Sequence, residues 1–337
     1  RELNNHFTEI EIFKYRKLNN IKIDGLRRVN LFVGSNNSGK TSLLEVVYLI
    51  TRLNNIQSLI DLEKYRGRFF NGFPTKWFDK LFVETIEIEG VFNNINCALK
   101  IQKTDTLDTI DKSQYLSSII LDSNVGENNY NSMINLFENR DPELYYDKSP
   151  NLCNSTFSSP YRYDGNLLKK AHAKAIQEKY FDDILDFLRI NLDNTIEKIE
   201  MVDIDNESRF MITTSENNFA IDLTKFGEGL QRIFEITLLM GYSQNGIVCI
   251  DEIDSAVHKS LLIRFTEFIQ KLAVKFNVQV FLSTHSKECV DAFVRNNFPD
   301  DDLKAYSLQE LNHKMTIKFL DGNKLKSLVE SIDIDIR

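Results

Sequence analysis

The sequence predicts an α/β fold in which short, wholly apolar strands end in loops that carry the polar chemistry. Three stretches point to it. Residues Gly34-Ser35-Asn36-Asn37-Ser38-Gly39-Lys40-Thr41 complete a G-x-x-x-x-G-K-[ST] loop, with an apolar run, Val29 to Val33, before it and helical spacing, Ser42 to Ile50, after it. A second run, Gly246 to Ile250, stops abruptly at Asp251-Glu252, and a third, Val278 to Leu282, leads into Ser283-Thr284-His285-Ser286. Strands of this composition are buried on both faces of a parallel sheet, and the ligands of such sheets bind beyond the C-terminal ends of the strands.

The elements follow in order. Residues 7 to 23 alternate loosely and predict two strands ahead of the phosphate-loop strand, with aromatic and basic side chains at 13 to 17 suited either to packing on a base or to edge-strand packing. Residues 81 to 103 hold two alternating runs joined by Asn93-Asn94, a hairpin signal. Residues 104 to 165 are polar, rich in Asn, Asp and Ser, and contain Pro142, Pro150 and Pro160, which predicts a peripheral insertion with short helices. Helix returns over 166 to 195, where Ile184, Leu185, Phe187, Leu188 and Ile190 form an apolar face without the heptads of a coiled coil. Two or three short strands over 196 to 223 lead to a strongly apolar helix, 230 to 242, opened by Phe226-Gly227-Glu228-Gly229. After the third strand come an amphipathic helix, Lys287 to Arg295, strands near 303 to 308 and 314 to 319, a turn at Asp321-Gly322 and a helix from Leu325 to Ile332. The expected division is 1–103 for the loop and β layer, 104–195 for a polar and helical insertion, and 196–337 for the remainder of the same domain.

The candidate site residues follow from chemistry. Glycines let the loop turn so tightly that its N–H groups surround a phosphate, and the helix behind aims the positive end of its dipole the same way. Gly34, Asn36, Asn37, Ser38, Gly39 and Ser42 would form that cradle, Lys40 would reach the β and γ phosphates of ATP, and Thr41 would offer its hydroxyl to Mg2+. Asp251 would complete the Mg2+ shell, and Glu252 would orient or deprotonate the attacking water. His285 could donate to a γ phosphate, and Gly227 with Gly229 could make a second anion site at a helix start. A strand ending in acids, a lone His after a strand and a glycine pair opening a helix are each ordinary surface features. Their order along one chain carries the reading.

Composition sets bounds. With 337 residues, 42% hydrophobic and 27% charged, the chain can bury one large core or two small ones. It contains no apolar run of about 18 residues, and its first 25 are too polar for a secretory signal, so a cytoplasmic protein away from membranes is expected. Cys97, Cys153, Cys249 and Cys289 are scattered without a C-x-x-C pair, which argues against a zinc site or disulfide framework. The net charge of −8 disfavours nucleic acid as a partner without removing it. The basic clusters at Arg27-Arg28, 64–68 and Lys169, Lys170, Lys174 and Lys179 read more simply as solvated faces.

The order of phosphate loop, Gly-x-Gly helix start, strand with Asp-Glu, and strand with Thr-His-Ser resembles ABC-type ATPases, in particular the branch containing SMC proteins, RecF and the OLD (overcoming lysogenization defect) family. The resemblance is specific over residues 10 to 50 and 220 to 290. It implies a P-loop NTPase of ABC type with a mixed central sheet, Walker A at Lys40 and Thr41, Walker B at Asp251 and Glu252, a switch His285, and a signature loop at Gly227 and Gly229. His258 stands where transporters usually carry Asp, the signature reads Phe-Gly-Glu-Gly, and no glutamine suits a Q-loop, all of which disfavour a transporter subunit. The resemblance implies a slow ATPase that forms a homodimer or higher homo-oligomer around ATP and serves an anti-phage defence system through a separate nuclease or toxin. A RecF-like or SMC-like DNA-repair ATPase is the alternative. About 50 residues follow His285, fewer than a built-in Toprim nuclease needs, so any nuclease is expected on another chain.

Overall fold

The computed structural model describes residues 3–68, 73–82, 84–105, 114–148, 151–204, 207–296, 298–311, 314–321 and 325. The chain opens with a hairpin, β1 (Phe7–Tyr15) and β2 (Leu18–Asp24), then β3 (Val29–Val33) and helix α1 (Lys40–Arg52). Helices α2 (Gln57–Tyr65) and α3 (Thr75–Leu81) precede the strands β4 (Ile86–Phe92), β5 (Ile95–Thr104), β6 (Tyr115–Val125), β7 (Asn128–Phe137), β8 (Glu143–Tyr146) and β9 (Ser155–Ser158). Next come α4 (Gly165–Gln177), α5 (Phe181–Asn191), β10 (Ile196–Ile204), β11 (Glu207–Thr214), β12 (Ile221–Asp222) and α6 (Glu228–Tyr242). The chain continues with β13 (Ile247–Ile250), α7 (Lys259–Lys275), β14 (Gln279–Thr284), α8 (Lys287–Arg295), β15 (Leu303–Leu311) and β16 (Lys314–Asp321).

The strands form three sheets. The central one has the order β16-β15-β3-β14-β13-β9, parallel except for the β15–β16 hairpin, and is therefore mixed. Its inner strands are buried on both faces, and their side chains alternate between two cores. Val29, Leu31, Val248, Ile250, Val280 and Leu282 face a core shared with α4 to α8, whereas Phe32, Ile247, Cys249 and Phe281 face α1 and the antiparallel layer. This two-sided burial explains why the strands read as continuous apolar runs. The second sheet, β2-β1-β4-β5-β6-β7-β8, is wholly antiparallel and lies over α1, and β10-β11-β12 forms a small third sheet. Asn93 and Asn94 have φ of 49° and 64°, the left-handed pair that a tight hairpin turn needs.

Two expectations need correction. Among its described residues, the polar stretch 104–165 contributes no helix before Gly165. Instead β6, β7 and β8 extend the antiparallel layer, and β9 enters the central sheet beside β13. On β6 the buried residues Ser117, Ile119, Leu121 and Ser123 alternate as strand geometry requires, but serines hold two of those places. The buried polar groups are satisfied across the sheet: Ser118 Oγ donates to Asn135 Oδ1 at 2.6 Å, and Asn54 Nδ2 donates to Ser132 Oγ at 2.8 Å. Among the described residues, the predicted insertion of 104–195 is helical only over α4 and α5. The predicted turn at Asp321-Gly322 and helix from Leu325 to Ile332 lie, apart from Asp321 and Leu325, outside the described residues.

Candidate functional site

The parallel register brings three strand ends together. Val33 pairs with Thr284 and Ile250 with Leu282, so the loop after β3, the Asp251-Glu252 pair after β13 and the Ser283-to-His285 stretch emerge side by side. Residues 34 to 41 wrap the N-terminus of α1, with Gly39 at φ 89° as the cap residue, a conformation that favours glycine. At Gly34 a Cβ would fall 2.6 Å from Ser38 Oγ and 2.8 Å from the Leu308 carbonyl, so the loop closes only on glycine there.

The Lys40 amine donates to the Gly34 carbonyl at 2.8 Å and the Ser35 carbonyl at 2.7 Å. Burial lowers its pKa, while the charges of Asp251, Glu252 and Asp254 oppose that shift. Thr41 Oγ1 donates to both Asp251 oxygens, at 3.1 and 2.9 Å. Ser283 Oγ donates to Asp251 Oδ1 at 2.5 Å and accepts from the Glu252 N–H at 2.8 Å, so one serine fixes both acids. Glu252 sits at φ 47°, a left-handed kink that turns its side chain away from the strand line. Beneath them Arg232 of α6, 5% exposed, donates to the Asp251 carbonyl and to Ser158 Oγ, each at 2.5 Å, with Glu235 3.7 Å away.

A cleft of about 630 Å³ gathers Asn36, Asn37, Ser38, Gly39, Lys40, Thr41 and Ser42 with Asp251 and Glu252. Tyr65, Arg66 and Tyr161, which were not singled out as site residues, also line it, together with Lys17 from the 13–17 stretch considered for base packing. Arg16 lines it as well, whereas Tyr15, one of the aromatics considered for base packing, is buried and donates to Glu45 at 2.9 Å. Glu45 on α1 also holds Arg66 in a two-pronged contact at 2.5 and 2.9 Å, and Glu63 holds Arg16 at 3.2 Å. Two buried carboxylates thus fix two guanidinium groups on the rim of the cleft, a feature invisible without the fold.

His285, Gly227 and Gly229 do not line the cleft. His285 is exposed one residue beyond β14, and the preceding Thr284 hydroxyl donates to Asp254 at 2.6 Å. Gly227 and Glu228 are exposed at the start of α6, with Gly227 at φ 119° and open space where a Cβ would lie. Gly229 differs, since a Cβ there would stand 2.6 Å from the Ala256 carbonyl of the same chain.

Oxygen donors arranged as at Thr41 and Asp251 suit Mg2+, which takes few protein ligands and shares phosphate oxygens. Among the described residues no group of three or more His, Cys, Asp or Glu could cage a metal without a substrate. No helix among them is long and apolar enough to cross a membrane.

The chain is similar to known proteins over this same framework. It is 22% identical to a Helicobacter pylori protein named ATP/GTP phosphatase, over 96% of this chain and 97% of that one. Over 45 residues it is 42% identical to the DNA replication and repair protein RecF of Acinetobacter baumannii, which covers 13% of this chain and 12% of that one. Its fold is similar to that of an Smc head bound to the C-winged helix domain of ScpA, at a TM-score of 0.51 and 10% identity, over 98% of this chain and all of that one. Residues 29–291 match the family described as "AAA domain, putative AbiEii toxin, Type IV TA system". The chain is an ATPase with the ABC-type P-loop fold of SMC heads and belongs to that family.

Proposed function

We propose that this ATPase is the sensor or regulatory subunit of an OLD-like anti-phage defence system, that it acts as a homodimer or higher homo-oligomer in the cytoplasm, and that it controls a separate toxin or nuclease. The observation that carries the oligomer is the division of the site. Lys40, Thr41, Asp251 and Glu252 share one cleft, while Gly227 and Glu228 are exposed and do not line it. A second copy placing its signature loop over the cleft would complete each site. The defence role draws on the family description, which names a toxin and a type IV TA system.

In this reading Lys40 leaves the Gly34 and Ser35 carbonyls for the β and γ phosphates of ATP. Mg2+, held by Thr41 and Asp251, would neutralise phosphate charge. Glu252 takes a proton from water as its oxygen bonds to the γ phosphorus and the bond to the β-phosphate oxygen breaks, giving ADP and phosphate. His285 and the partner's signature loop would read the γ phosphate, so that turnover sets the lifetime of the closed dimer.

The test is assembly. Glu252→Gln with Mg-ATP should shift the chain from monomer to dimer in light scattering, and ADP should not; a mass that stays constant in every nucleotide state refutes the sandwich. Native copurification from the host would then separate a toxin or nuclease partner from none. A RecF-like, DNA-binding role is the second reading, favoured by the 45-residue match. Against it, several members of the basic clusters are spoken for: Arg28 by Asp302, Arg66 by Glu45, Arg68 by Glu63 and Lys169 by Asp203. Salt-dependent retention of duplex DNA by the ATP-bound dimer would support that reading.

A further inference from the structure

The antiparallel sheet ends on β8, and among the described residues no strand pairs with the outer side of β8. Its register on β7 sets Tyr145 opposite Met133 and Tyr146 opposite Ser132, and the next residue, Asp147, donates its N–H to the Asn131 carbonyl at 2.8 Å. Bonding residues alternate in an antiparallel pair, so Tyr145 turns its backbone groups towards β7, as Asp147 turns its N–H, whereas Leu144 and Tyr146 turn theirs outward. Among the described residues nothing bonds to the outward groups.

Edges are ordinarily blunted by charge, proline or a bulge. On β8, Leu144, Tyr145 and Tyr146 are instead 50, 53 and 68% exposed. The strand is nonetheless held in place, because buried Asn54, just beyond α1, donates to the Asp147 carbonyl at 3.2 Å and to Ser132 Oγ at 2.8 Å.

Charge selects the occupant. Tyr145 and Asp147 share one face of the sheet, and on that face a cavity of about 470 Å³ gathers Asp147 with Glu87, Glu89 and Asp122 against one lysine, Lys100. Farther along the same sheet Glu11 of β1 stands directly opposite Glu89, a like-charge pair that an incoming cation would relieve. Glu143 is already met by Arg140 at 3.3 Å, so the selection falls to Asp147 and the carboxylates behind it. Such a face repels nucleic acid. It also fits a second copy of this chain poorly, since the antiparallel pairing of two β8 strands that matches their outward groups centres on Tyr145 and sets Glu143 opposite Asp147 at both ends.

We propose that β8 is a docking edge for an extended, lysine- or arginine-bearing segment of a partner protein, which adds a strand to the sheet. Leu144 and Tyr146 supply the backbone bonds, and alternate cationic side chains lie along Tyr145 and Asp147 at the margin of the acidic cavity. The edge stands apart from the nucleotide cleft, which none of these residues lines.

The probe is a short peptide alternating Lys and Thr, added to the full chain, with a Glu-Thr counterpart and a Lys-Thr copy methylated at every backbone nitrogen as controls. The Lys-Thr peptide should bind saturably and slow amide exchange at Leu144 and Tyr146, with little change at Tyr145 and Asp147, and neither control should bind. Tyr146→Pro removes one outward N–H that β7 does not use and leaves the charge unchanged, so it should weaken the peptide about tenfold, with ATP affinity and turnover as in wild type. Asp147→Asn keeps an acceptor for the Asn131 N–H, which Asp147 Oδ2 now meets at 2.9 Å, and should weaken the peptide on the order of threefold. Absence of Lys-Thr binding in low salt overturns the proposal. Equal binding of the methylated copy, or protection that leaves out Leu144 and Tyr146, reduces the contact to charge attraction and overturns strand addition. Tighter binding of the Glu-Thr peptide overturns the charge assignment. Self-association without nucleotide that Tyr146→Pro abolishes assigns the edge to a second copy and overturns the partner.

Discussion

Gly229 is expected to serve its own chain before it serves a partner, and Gly229→Ala measures how much. An added Cβ would stand 2.6 Å from the Ala256 carbonyl oxygen, where ordinary contact begins at 3.4 Å, so oxygen and helix must part by about 0.8 Å. The oxygen belongs to backbone that resists moving. Ala256 is itself at φ 63°, and its segment is tied by Ile253 N–H to the Ser283 carbonyl, Ser255 N–H to the Glu252 carbonyl and Val257 N–H to the Asp254 carbonyl, at 2.9 to 3.1 Å. Overpacking of this kind costs about 1–3 kcal/mol. Alanine's helical preference over glycine returns at most about 1 kcal/mol, and less at a first turn. The balance is a loss of about 1–2 kcal/mol, a few degrees in unfolding temperature for a domain of this size.

The displaced segment begins at Glu252, so hydrolysis should fall while nucleotide binding at Lys40 persists. Thermal unfolding, ATP titration and phosphate release on the same preparation test the chain of reasoning. A Gly229→Ala protein as stable as wild type, with full turnover, would refute it. The consequence reaches experiments on shared sites. Mixing Gly229 variants with Lys40→Ala chains would confound damage in cis with a missing contact in trans. Gly227 is the cleaner probe of a partner's approach, since a Cβ there meets nothing within 4 Å, although φ 119° adds backbone strain of about 1–3 kcal/mol.

Lys40→Ala should weaken Mg-ATP binding at least tenfold in equilibrium titration, whereas Glu252→Gln should leave binding intact and stop steady-state phosphate release. Arg232→Met removes the counter-charge of buried Glu235 and the donors to the Asp251 carbonyl and Ser158 Oγ, so denaturant unfolding should show a loss of about 3–5 kcal/mol, largely recovered when Glu235→Gln is added. Glu288, hydrogen-bonded by Lys259, by its own N–H and by the Ser286 hydroxyl, has its carboxyl depressed from 4.5 to about 2. A depressed carboxylate contributes stability that is present above the unfolded pKa and lost as pH falls through the folded one. Glu288→Gln should therefore lower stability above pH 4.5, converge with wild type near pH 2, and matter less in high salt.

The sequence made the strand ends legible because each is a short apolar run stopping at a polar residue, and the parallel sheet that gathers them requires both features. It hid β9 for the opposite reason. Ser155, Thr156 and Ser158 are polar yet fully buried, and their hydroxyls are satisfied by residues far along the chain: Thr156 with Ser243, and Ser158 with Arg232 and Glu235. No local pattern distinguishes such serines from those of a loop. The same blindness covered β6 and β7, whose buried serines and asparagine break the hydrophobic alternation. It also covered Tyr161, which depends on β9 for its place, and Arg66, which depends on Glu45.

What these hidden residues have in common is that they tie the visible motifs to each other. Asp251 receives Thr41 and Ser283 at its carboxylate and Arg232 at its carbonyl, so a single residue is held by the phosphate-loop helix, by β14 and by α6. Asp254 receives the Thr284 hydroxyl next to His285, and the Ala256 carbonyl abuts Gly229. A force applied at the exposed start of α6 therefore meets the segment that follows β13 at two points of its own chain, the Arg232 contact at Asp251 and the Ala256 contact. Both joints are buried or backbone-to-backbone, where packing leaves little room for slack. Displacement of α6 by even a few tenths of an ångström must then shift Asp251, Glu252 or the segment between them, and that is the physical route by which a neighbour seated on α6 would be felt in the cleft of the chain that it touches.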